Sequence, residues 1–191
     1  MPRDNIERAV KKGTGELEGV SYEEVTYEGY GPSGVAILIQ ALTDNTNRTV
    51  SEVRSTLSKR GGNMGTPGSV AWMFEEKGLI TVPSEGTEFD TIFEASVEAG
   101  AEDVQESGEH FEIVTDRTEL YDVSAALEQA NITAEEAKLA QIPTTTVELT
   151  ELDLAQKILA LIEALEDLDD VQDVWANFDV SETVALALEG E

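Results

Sequence analysis

The hydrophobic rhythm of the chain switches repeatedly between a two-residue and a 3.6-residue period. Glu24-Val25-Thr26-Tyr27-Glu28 alternates polar and apolar residues, as a half-buried strand does. A glycine-rich turn, Gly29–Gly34, leads to Val35–Leu42, which is apolar on both faces and predicts a central strand covered on both sides. Thr49 and Glu52 have capping-box spacing and open a helix with Val50, Val53 and Leu57 inward, ending at Arg60-Gly61-Gly62. Val70, Trp72 and Phe74 alternate and predict a third strand.

A different order begins near residue 78. Leu79–Val82 reads as a strand and Thr87–Val97 as a helix with Phe89, Ile92, Phe93 and Val97 on one face. Glu102–Glu106 and Phe111–Val114 read as strands joined through Ser107-Gly108, a hairpin signal. Thr118–Ala130 is a helix with Leu120, Val123 and Leu127 inward, and Glu136–Gln141 is a strand. The order β-α-β-β-α-β predicts a ferredoxin-like sandwich, a frame that hosts many functions and names none. After Pro143, the helix Glu151–Leu165 and the strand Val171–Phe178 have no sheet of their own, which predicts their return to the first sheet. The expected fold class is therefore α+β. A discontinuous α/β domain, 21-77 plus 146-182, would carry an inserted ferredoxin-like (βαββαβ) domain at 78-145. A short helix and linker, 1-20, would precede it, with Ile6, Ala9 and Val10 on one side and a stop at Lys12-Gly13.

Composition removes most enzyme chemistry. The 191 residues are 40% hydrophobic, enough for real cores, and include no cysteine and one histidine, His110. Disulfides, thiolate nucleophiles, cysteine-based metal sites and multi-histidine sites are thereby excluded. No run approaches the ~20 apolar residues of a membrane span, and Met1-Pro2-Arg3-Asp4 opens no signal peptide, so a cytoplasmic location is expected. We expect no enzyme activity, no cofactor, no catalytic metal, no small-molecule substrate and a monomer. Three motifs invite chemistry and decline it. Gly29-Tyr30-Gly31-Pro32-Ser33-Gly34 matches the dinucleotide fingerprint but opens a strand, where that fingerprint needs a helix. Asp167-Leu168-Asp169-Asp170 lacks the glycine and ligand spacing of a calcium loop. His110 has no partner in sequence and reads as a surface residue.

Charge changes the picture. The formal net charge is −28, yet residues 1–60 hold eight of the twelve Lys and Arg against nine of the forty Asp and Glu. Polyphosphate should be repelled by such a chain unless its cations gather on one surface. The candidate cluster is Asn45, Asn47 and Arg48 in the loop entering a helix, with Arg54, Lys59 and Arg60 along or just beyond it. Arg3, Arg8, Lys11 and Lys12 add to it from the first helix. Backbone N–H groups at a helix start with Arg and Asn nearby favour phosphate. The same residues also suit a plain cap and a wet helix face, and spacing alone leaves both readings open.

Several segments resemble the YebC/PmpR family. Met1–Gly15, with Arg3, Arg8, Lys11 and Lys12, is similar to the close of that family's N-terminal helical domain. Tyr27-Glu28-Gly29-Tyr30-Gly31-Pro32, Thr43-Asp44-Asn45 through Arg48-Thr49, Lys59-Arg60-Gly61-Gly62-Asn63 and Gly68-Ser69-Val70-Ala71-Trp72-Met73-Phe74 continue the pattern. Leu165-Glu166-Asp167, Asp170-Val171-Gln172-Asp173-Val174 and Asn177-Phe178-Asp179 extend it toward the C-terminus. The resemblance is specific in residues 1–80 and weaker in 85–145. It implies three domains: one helical, one discontinuous α/β, and one ferredoxin-like inserted in it. It further implies regulation of transcription, or of translation as in the mitochondrial activators of cytochrome c oxidase subunit I. The partners implied are DNA, ribosomal RNA and the ribosome, with no membrane. Most of the basic N-terminal domain is expected to be lacking. The rival expectation is an acidic interaction module that docks on a basic protein, such as a ribosomal one, with little nucleic-acid contact.

Overall fold

The apolar run near residue 40 becomes the centre of a sheet in the computed structural model, which describes residues 21–189. The strands β1 (Glu23–Tyr30) and β2 (Ala36–Thr43) form an antiparallel hairpin, closed by a 3-10 turn at Pro32–Gly34. That turn is what the glycine-rich motif encodes: Ser33 and Gly34 both adopt positive φ. The helix α1 (Thr46–Lys59) follows, and then the two-residue strand β3 (Asn63–Met64).

Between β3 and the next strand the structure corrects the sequence. Val70, Trp72 and Phe74 form no strand of their own. Ala71–Met73 is a 3-10 turn, and β4 (Phe74–Pro83) begins only at its end, absorbing the expected strand at Leu79–Val82. The cause is a buried carboxylate. Glu28 accepts hydrogen bonds from the backbone N–H groups of Gly68 (2.6 Å), Val70 (2.7 Å) and Ala71 (2.8 Å), so these donors serve a tertiary contact and no ladder.

The elements α2 (Phe89–Ala99), β5 (Asp103–Ser107), β6 (His110–Thr115), α3 (Leu120–Gln129) and β7 (Glu136–Pro143) come next. The chain ends through β8 (Val147–Leu149), α4 (Leu152–Glu166), β9 (Val171–Ala176), β10 (Phe178–Val180) and α5 (Glu182–Glu189). The expected strand Val171–Phe178 is thus split at Asn177. The buried Asn177 amide is used elsewhere: its Oδ1 accepts from Ala36 N at 2.6 Å and its Nδ2 donates to Thr145 O at 3.1 Å.

Two compact units result, one of residues up to Phe74 with those from Pro143 onward, the other Glu75–Ile142. The expected N-terminal remnant, 1-20, lies outside the described residues. In the first unit the sheet order is β3-β1-β2-β9, with β9 antiparallel to β2, and β8 and β10 form a separate parallel pair. Ile37 and Ile39 of β2 face α1 and α4, in a core with Val53, Leu57, Ile158, Leu161 and Leu165. Ala36 and Leu38 face the other side, against Val70 and Phe74. Each fully buried Leu or Ile contributes about 1.5–3 kcal/mol of transfer free energy, so α1 is held chiefly by Val53 and Leu57.

In the second unit the sheet order is β5-β6-β4-β7 and α2 packs on α3, the ferredoxin-like arrangement. Ile80, Ile92, Ile113, Leu120, Val123 and Leu127 form its core. His110 lies at the surface, and its Nε2 is 3.0 Å from a carboxylate oxygen of Glu135, a partner that sequence separation conceals.

Candidate nucleic-acid interface

The candidate cations sit at two ends and on two faces of α1. Asn45 caps the helix, its Oδ1 accepting from Arg48 N at 3.1 Å. Thr43 Oγ1 accepts from Asn45 N at 2.9 Å and lies 2.7 Å from Thr49 Oγ1. The expected pairing of Thr49 with Glu52 is therefore replaced by a cap at Asn45, with Thr49 buried beneath it.

The Arg48 guanidinium is engaged in this network, although its side chain remains 41% exposed. Its guanidinium donates to Asp170 through Nε (3.2 Å) and through an Nη atom (2.7 and 2.9 Å), and the same Nη atom donates to Asp44 at 2.8 Å. Asp170, in the turn before β9, is nearly inaccessible and also accepts from Thr49 Oγ1 at 2.7 Å and Thr43 Oγ1 at 3.2 Å. Burial pushes the Asp170 carboxyl up, but the Arg48 guanidinium and the two hydroxyls outweigh it and hold it below the usual carboxylate range. The Arg48 guanidinium is pushed up in turn, chiefly by its hydrogen bond to Asp170. Asn47 and Arg48, expected in the loop, thus lie in the first turn of α1, and a charge-assisted clamp joins that turn to the α4–β9 turn across more than a hundred residues of sequence.

The other end of α1 differs. Lys59 closes the helix and Arg60 caps it, with Gly61 in the left-handed region at φ +80° and Gly62 N donating to Leu57 O at 2.9 Å. A Cβ at Gly62 would strike the carbonyl oxygen of Tyr30, so that glycine is required by close packing. Lys59 and Arg60 are exposed, and among the described residues neither has a carboxylate within ion-pair distance. They line an open cavity of about 570 Å³ with Pro32, Gly61, Lys157 and Ala160, and no acidic side chain is in that lining. Lys157, which the sequence did not single out, reaches it from α4 while pairing with Asp153 one turn earlier.

Arg54 is exposed on a different face. At 100° per residue it lies about 140° around the helix from Lys59, beside Asn47, while Arg48 is within about 20° of Lys59 but about 16 Å away along the axis. The helix therefore brings together Lys59 and Arg60, adds Lys157, and separates both Arg48 and Arg54 from them. Arg3, Arg8, Lys11 and Lys12 lie outside the described residues. Among the described residues no helix is long and apolar enough to cross a membrane.

A family model described as the TACO1/YebC second and third domain matches residues 22–178. The chain belongs to that family. Among TACO1/YebC relatives, a "probable transcriptional regulatory protein" of Sulfurihydrogenibium is 54% identical over 191 residues, all of this chain and 76% of the relative. A protein of the same description from Geobacter sulfurreducens is 56% identical, covering 95% of this chain and 72% of its own length. The crystal structure of a conserved hypothetical protein from Aquifex aeolicus superimposes with a TM-score of 0.84 at 49% identity, over 95% of this chain and 75% of that one. The TACO1/YebC assignment accords with the sequence resemblance, and the names of its relatives support a regulatory role. The half-exposed clamp of this TACO1/YebC member, Arg48–Asp170, joins two of the segments that carry the resemblance.

Proposed function

We propose that this protein is a non-catalytic regulator of gene expression that acts by contacting nucleic acid, as free DNA or RNA or as ribosomal RNA on the ribosome. The observation that carries this is the pair Lys59 and Arg60, exposed and without a carboxylate partner among the described residues, in a chain of net charge −28. Where acids outnumber bases forty to twelve, cations without an acidic neighbour form a local positive field that would attract phosphate. In this reading Lys59, Arg60 and Arg54 meet phosphate, with Asn47 beside Arg54, while Arg48 and Asn45 hold the helix in place. Arg3, Arg8, Lys11 and Lys12 would extend the surface, in the cytoplasm.

The test is binding of the full chain to purified ribosomes and to duplex DNA at two salt concentrations. We expect affinity to fall steeply with salt for at least one target, since released counterions set the slope. Binding to neither would refute the reading.

A second reading has an observation of its own. The unit Glu75–Ile142 holds eighteen acidic and three basic residues, and α2 exposes Phe93 and Val97 among Asp90, Glu94 and Glu98. Such a surface suits a basic protein, as many ribosomal proteins are, and predicts ribosome binding that survives loss of Lys59 and Arg60.

A further inference from the structure

Lys59 stands between two concavities. One is the cavity of about 570 Å³ lined by Lys59, Arg60, Gly61, Pro32, Lys157 and Ala160. The other, about 350 Å³, runs along α1 and is lined by Ser51, Glu52, Ser55, Thr56, Lys59 and Leu168. Both are open to solvent, both belong to the first unit, and both fall in or near the size range of small-ligand sites. The first joins three cations to two small apolar surfaces, the Pro32 ring and the Ala160 methyl, with Gly61 presenting bare backbone. The second offers the hydroxyls of Ser51, Ser55 and Thr56, which suit the sugars of a strand, beside the Glu52 carboxylate, which turns phosphates toward Lys59.

We propose that these concavities form a path for single-stranded nucleic acid. One nucleotide sits in the cationic cavity, its phosphate on Lys59, Arg60 and Lys157 and its ring or sugar against Pro32 and Ala160. The strand then crosses Lys59, and its backbone follows Ser51, Ser55 and Thr56. The inference rests on the nucleic-acid reading above and narrows it to unpaired strands. A duplex presents its phosphates on a convex surface and cannot insert a base and sugar into a recess beside the cations. A single strand has rotatable bonds enough to do so, and every base offers an apolar face. Lys157 is the discriminating residue. It lies on α4, about a hundred positions from Lys59 and Arg60 in sequence, and meets them only across this cavity. Its exposed pair with Asp153 costs little to exchange for phosphate.

The experiment is fluorescence anisotropy of the full chain with labelled single-stranded RNA, single-stranded DNA and a duplex of the same sequence. Variants are Lys157→Ala, Arg60→Ala and the uncharged plug Ala160→Tyr. Circular-dichroism melts check that each is folded. We expect Lys157→Ala and Arg60→Ala each to lower the single-strand salt slope by about 0.7, about an order of magnitude in affinity at 50 mM salt. Ala160→Tyr should weaken single-strand binding without changing that slope and leave duplex binding as in the parent. Preference between the RNA and DNA strands then tells whether a 2′-hydroxyl is read. If the cation variants weaken single strand and duplex equally and Ala160→Tyr changes neither, the cations act as a diffuse patch. The path is then overturned while nucleic-acid binding stands. A parent that binds no nucleic acid overturns both. Should Ala160→Tyr fail to fold, Pro32→Glu replaces it, and unchanged single-strand binding there overturns the path.

Discussion

Arg48 and Arg60 stand at opposite ends of one helix, both exposed in part, and sequence makes them equivalent members of a basic cluster. Their surroundings make them different. Arg48 is held by Asp44 one turn away and by Asp170, which arrives from the far end of the chain. Arg60 lines a cavity whose described lining has no acidic side chain. A guanidinium beside a buried carboxylate is a structural part, because removing it strands a charge that has already been desolvated. A guanidinium without one keeps its charge available to a ligand. In a chain this acidic, the informative cations are those that the fold has kept apart from the acids.

The comparison can be pressed first where internal polar contacts are densest. Glu28→Ala would leave the N–H groups of Gly68, Val70 and Ala71 without their acceptor, that of Val70 in a buried position and the other two partly buried. The expected cost is about 3–5 kcal/mol by urea denaturation, with the Trp72 loop loosened first. Arg48→Ala should cost about 2 kcal/mol, less than for a fully buried pair because the Arg48 side chain is 41% exposed. A change below about 0.5 kcal/mol would show that water replaces the guanidinium and that the clamp is ornamental.

Acid provides a gentler probe of the same two carboxylates. Glu28 is pushed up by burial, but four backbone N–H groups outweigh this and hold it below the usual range, as Arg48 and two hydroxyls do for Asp170. Folded-state values below the unfolded ones mean that both contributions are complete above about pH 5 and fade as pH falls through the folded values. Denaturation midpoints should therefore drop between pH 5 and pH 3, and Glu28→Gln should flatten that drop. An equally steep profile in the variant would assign the acid sensitivity to the surface acids.

What was legible in the chain follows from locality. The hairpin over Gly29–Gly34, the two-sided strand near Ile37–Ile39, and the αL stop at Gly61 are encoded within a few residues, and periodicity or turn chemistry finds them. The second unit's elements are found for the same reason: the observed α2, α3 and β7 begin within two residues of their expected starts. The misreadings share one cause, a side chain satisfied from far away. Glu28 looks like the outward residue of an alternating strand, and only the loop at 68–71 makes it an internal anion. Asn177 breaks an otherwise continuous strand because Ala36 needs an acceptor. Arg48 looks like a phosphate ligand until Asp170 is beside it. Lys157 escaped notice because it lies isolated among the acids and apolar residues of α4, and only the packing of α4 near the end of α1 brings it to Lys59 and Arg60. The short strands β3, β8 and β10 leave no signal in the sequence because two or three residues carry no period.

Smallest in stability should be Lys59→Ala and Arg60→Ala, within about 0.5 kcal/mol of the parent, as exposed residues away from buried partners are. That near-neutrality makes the direct test clean. Parent, Arg48→Ala and Arg60→Ala are compared for nucleic-acid affinity across a salt series, at a temperature where all three are folded. Arg60→Ala should lower the slope of log affinity against log salt by about 0.7–0.9 with an unchanged melt, while Arg48→Ala melts earlier and keeps the parental slope. A parental slope in Arg60→Ala, or an equal loss of slope in Arg48→Ala, would contradict this.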